Sequence, residues 1–130
     1  MNQKKIHKFD PVIYPRKLWV TSSYDDLVKY FKERNGKNIY IPEDEGVKTC
    51  TAATIPHVAC KQTKDIGVVV IIWHDITVND MAHEAVHVAS SIFDDCGIQM
   101  GFSDGKDEHY AYLVGWATEC IEKAVKQTKT

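Results

Sequence analysis

Gly67-Val68-Val69-Val70-Ile71-Ile72-Trp73 decides how this chain folds. A continuous β-branched run of this length reads as a strand, and its apolar character on both faces suits a strand buried within a sheet. The same run would also suit a sheet edge along which an extended peptide can pair, and the pattern alone leaves both open. Downstream, Thr77 or Asn79 is placed to cap a helix running to about residue 95, with Gly97 as its stop. A last helix is expected over about residues 107–126.

Upstream, K-L-W-V-T (Lys17–Thr21) is a short strand candidate. Ser22 or Ser23 then caps a helix expected to continue to about Arg34, with Leu27, Val28, Tyr30 and Phe31 on its apolar side and Asn35-Gly36 ending it. Residues 38–41 suggest another short strand, halted by Pro42, and Glu43-Asp44-Glu45-Gly46 reads as a surface turn. Residues 47–60, rich in Thr, Val and Ile, favour one or two extended segments around Pro56. Strands with one helix, a strong strand and then two helices define an α+β fold in a single domain spanning residues 1–130.

Composition narrows the functional classes. The chain has 130 residues, 44% of them hydrophobic and 26% charged, enough to bury a core without a metal or disulfides to hold it. The net charge is −2 and the basic residues are scattered, which argues against nucleic acid as a partner. No segment approaches the ~20 apolar residues of a membrane span. The N-terminal residues carry no apolar stretch of signal-peptide length, and Cys50, Cys60, Cys96 and Cys120 form no C-x-x-C pair. These features predict a cytoplasmic protein with reduced thiols.

The helix after the strong strand contains Met81-Ala82-His83-Glu84-Ala85-Val86-His87-Val88-Ala89, an H-E-x-x-H pattern. Residues four apart stack on one helix face, so both imidazoles can reach one Zn2+ ion. Glu84 is about 100° around the helix from His83, beside the ion without ligating it, where it can act on a metal-activated water. Met81, Ala82, Ala85, Val86, Val88, Ala89, Ile92 and Phe93 are expected to face the core, while His83, His87, Ser90 and Asp94 share the other side. An ordinary solvated stripe carries Lys and Arg, and this one has neither from Met81 to Phe93.

Catalytic zinc takes three protein ligands and keeps one position open. The downstream candidates for the third are Asp94, Asp95, Asp104, Asp107, Glu108 and His109. Glu108, at the start of the last helix, is favoured and His109 is its main rival. Glu108 would also suit that helix end simply by offsetting the dipole. In the last helix Glu108, Tyr112, Gly115 and Glu119 are expected on one side, with Tyr110, Leu113, Val114, Ala117, Ile121 and Ala124 on the other.

His83 to His87 followed by Glu108 resembles the zincin metallopeptidases of the gluzincin type, in which two motif histidines and a later helical glutamate bind zinc. Glu108-His109-Tyr110-Ala111 is similar to the E-x-x-A of the ImmA/IrrE-type peptidases. Residues 67–121 more broadly resemble small zincin-like proteins of tailed phages and prophages, through the strand, H-E-A-x-H, Asp94 to Ile98, and Glu108 to Trp116. The resemblance implies a minimal zincin-like domain, with a small mixed sheet on the H-E-x-x-H helix and a C-terminal helix, that cleaves a protein or peptide in the host cytoplasm. Glu84 would then serve as general base and proton donor to the leaving amine. Tyr112 is the first candidate to stabilise the oxyanion, ahead of Tyr110 and His109. Asp94 is a candidate to orient a ligand imidazole. The alternative is a zinc-binding regulatory module without turnover.

Overall fold

The fold is described from a computed structural model covering residues 6–40, 51–73, 75–103, 105 and 107–129. Its centre is β5 (Ile66–Ile72), as the continuous apolar run requires of a strand covered on both faces. Val68 and Val70 point into a core shared with the two C-terminal helices, and Val69 and Ile71 into a second core on the opposite face. All four are fully buried. β5 pairs in parallel with β2 (Lys17–Thr21) on one side and antiparallel with β4 (Ala52–Cys60) on the other. With β1 (Ile6–Phe9) beyond β2 and β3 (Phe31–Glu33) beyond β4, the order is β1-β2-β5-β4-β3 in one mixed sheet. A central strand offers no free edge, so β5 is not a place where a peptide can pair.

The parallel pairing depends on Gly67. A Cβ there would collide with the Lys17 carbonyl oxygen and lie 2.7 Å from the Lys17 nitrogen, both backbone atoms that cannot rotate away. Gly67→Ala is therefore expected to cost at least about 2 kcal/mol in urea unfolding. Wild-type stability in that variant would contradict the register of Lys17 against Gly67.

Helix α1 (Tyr24–Tyr30) starts as the sequence indicates, with the Ser23 hydroxyl accepting from the Asp26 amide. It ends earlier than expected. Phe31 turns extended, packs edge-on to Trp19 at 4.9 Å and begins β3, which pairs with Val58–Cys60 of β4. Asn35-Gly36 consequently lies in the turn after β3, with Gly36 at φ +95°. The strand expected at 38–41 is reduced to one bridge, Lys32 to Asn38. Residues 41–50, including the acidic turn, lie outside the described residues. The extended stretch around Pro56 is one strand, interrupted by a bulge between Ile55 and Val58 where His57 takes φ +57°.

α2 (Val78–Asp95) and α3 (Glu108–Lys129) cover one face of the sheet. Thr77 caps α2 in a reciprocal box with Asp80, and Gly97 at φ +68° closes it, with the Ile98 amide donating to the Phe93 carbonyl. Met81, Ala85, Val88, Ala89, Ile92 and Phe93 are buried as expected. Val86 is not, at 42% exposed. Three residues on from His83 is about 300° of helix, which sets Val86 near the histidines rather than opposite them. Leu113, Ala117, Ile121 and Ala124 of α3 enter the same core, and Tyr110 meets Phe93 edge-to-face at 5.6 Å.

Candidate metal and catalytic site

His83 and His87 project from the outer side of α2, and their Nε2 atoms lie 3.3 Å apart with the rings steeply tilted at 73°. Two nitrogens each about 2.0–2.1 Å from a tetrahedral zinc are separated by about 3.3–3.4 Å, so the spacing fits two ligands of one ion. The same spacing also admits a hydrogen bond between the two ring nitrogens. The His83 side chain is 67% exposed, so the position is open to solvent.

Glu84 sits differently. The residue is 7% exposed, turned toward the sheet, with Oε2 4.0 Å from His83 Nε2. Its other oxygen, Oε1, accepts a 2.8 Å hydrogen bond from the Thr54 hydroxyl on β4. An ionisable side chain this buried needs such a partner, because burial without one carries a heavy desolvation cost. Thr54 was not singled out by the sequence. Only the crossing of β4 beneath α2 brings it there, and no local pattern signals that.

Among the described residues no group of three or more His, Cys, Asp and Glu is gathered to hold a metal. Glu108 opens α3 and is exposed, and it is not brought to the two imidazoles. His109 is exposed as well. Asp104 lies outside the described residues. Tyr112 is 74% exposed. Of the two α3 tyrosines, Tyr110 meets α2: its hydroxyl donates to the Val86 carbonyl at 3.2 Å and shares a 2.8 Å hydrogen bond with the Ser90 hydroxyl. The first turn of α3 is thereby held against the turn of α2 that carries His87. Asp94 is exposed and forms no hydrogen bond to either imidazole; its carbonyl accepts from the Cys96 and Gly97 amides at the helix end.

Comparison with protein-family models, with curated proteins and with solved structures returned no match. The chemistry of the site therefore rests on its own geometry.

Asp95, one of the carboxylates considered for the metal, is committed elsewhere. Its side chain is 3% exposed and receives Arg34 through two nitrogens, at 2.8 and 2.9 Å, and Arg16 Nε at 2.9 Å. His57 Nδ1 lies 2.9 Å from the same carboxylate. Burial alone would raise the Asp95 pKa, but hydrogen bonds from Arg34 and Arg16 and the charge of Arg34 outweigh it and hold the carboxyl down at about 2. The cluster ties the end of α2 to the segment before β2, to the residue after β3 and to the bulge of β4.

Proposed function

We propose that this chain is a zinc-dependent metallopeptidase of the zincin type, with His83 and His87 as metal ligands, Glu84 as general base, and Glu108 as the candidate third ligand. One observation carries the reading: two imidazole nitrogens 3.3 Å apart, with a buried carboxylate oxygen 4.0 Å from one of them. Glu108 is retained on the resemblance alone: Tyr110, about 200° around α3 from it, is the residue turned to α2, and Glu108 is exposed. Tyr112, one turn further along α3, is the candidate to meet the oxyanion of a bound substrate.

When bound, zinc supplies a Lewis acid that makes a coordinated water acidic near neutral pH and polarises a carbonyl. Glu84 would take a proton from the attacking water on Oε2 and return it to the amine that leaves. Its burial favours that role, since a base shielded from bulk water keeps the proton for the leaving group. The substrate edge we assign is on β4. β3 meets β4 only at Val58–Cys60, so among the described residues no strand pairs with the outer side of residues 52–55, beside Glu84. An extended peptide adding there would lie along the site.

The full chain loaded with zinc is expected to cleave a mixed pool of internally quenched fluorescent peptides. Stripping the metal with a chelator abolishes the signal and zinc restores it. Cleavage at an equal rate by the stripped protein would contradict the proposal.

A further inference from the structure

The Thr54 hydroxyl has one proton and two acceptors within reach, Glu84 Oε1 at 2.8 Å and the Glu84 carbonyl oxygen at 3.3 Å. The shorter, charge-assisted contact takes the proton. The two carboxylate oxygens are thereby made inequivalent: Oε1 is held against the strand, and Oε2 is the oxygen on the side of His83. We propose that Thr54 is a positioning residue that fixes the rotation of the Glu84 carboxylate and reserves Oε2 for the reacting water. This rests on the reading of Glu84 as the general base.

The proton balance follows from the geometry. An O–H bond of water breaks as its oxygen bonds to the scissile carbonyl carbon, and an O–H bond forms at Oε2, whose lone pairs Thr54 leaves open. That bond then breaks as an N–H bond forms on the leaving amine and the C–N bond to it breaks. Without the hydroxyl, either oxygen can face the site and the carboxylate can turn away from it. A positioning error of this kind lowers the rate of the chemical step rather than substrate binding.

Two variants of the full zinc-loaded chain test this on the quenched peptides. Thr54→Val, nearly the same shape without the donor, is expected to lose up to about 100-fold in kcat with KM and zinc content unchanged. Thr54→Ser, which keeps the donor, retains most of the activity. Equal activities for the two, or an effect confined to KM, would overturn the role. A second measurement does not depend on turnover. In urea unfolding, Thr54→Val should destabilise the native chain but not a chain already carrying Glu84→Ala. Additive effects would overturn the contact itself. Non-additive unfolding in a protein that cleaves no peptide would keep the Thr54–Glu84 pair and sink the metallopeptidase reading instead.

Discussion

Glu84→Gln is expected to lower peptide cleavage by about 10²–10⁴-fold, the range for loss of a general base, with zinc content unchanged from the wild type. The substitution is chosen for what it preserves. Gln has the same shape and its amide oxygen can still accept from Thr54, so a site only 7% exposed keeps its packing and its hydrogen bond. What disappears is the ability to take and return a proton. The histidines are untouched, and metal analysis by plasma emission checks that directly. Full activity in Glu84→Gln would remove the base from the mechanism. Zinc binding in a wild-type chain that never cleaves would favour a regulatory module.

The second large effect concerns stability. Asp95→Asn is expected to cost about 2–4 kcal/mol near neutral pH, measured by urea unfolding. The lower figure follows from the carboxyl's fall from its ordinary 3.8 to about 2 in the folded protein. The upper figure allows for Arg16, only 16% exposed, losing its charge partner. The pH dependence has a definite sign. A depressed folded pKa contributes its full stability above the unfolded value and loses it as pH falls through the folded one. The gap between wild type and Asp95→Asn should therefore be constant above about pH 4–5 and close between about pH 4 and 2. A gap that widens toward acid would contradict the assignment.

The parts of this fold carried by local chemistry could be read from the residues. β5 was readable because burial on both faces leaves an uninterrupted β-branched run, and α2 because Thr77 and Gly97 mark its ends. The histidine pair followed from helical spacing alone. Where distant segments decide, the residues carry no mark. Phe31 would extend a helix by its neighbours, but pairing with β4 and contact with Trp19 make it a strand residue. Residues 16, 34, 57 and 95 meet only in the folded chain, so Asp95 looked as free for a metal as Asp94. Thr54 was hidden for the same reason. It belongs to a strand whose bulge and crossing under α2 depend on the whole sheet.

The metal is the central claim, and anomalous diffraction at the zinc edge, from crystals of the zinc-loaded full chain, tests it most directly. A single peak about 2.0–2.1 Å from both His83 Nε2 and His87 Nε2 is the predicted result, and the density around it would show whether Glu108 closes the site. A map with no peak between the two imidazoles, or with zinc bound only elsewhere, would contradict it.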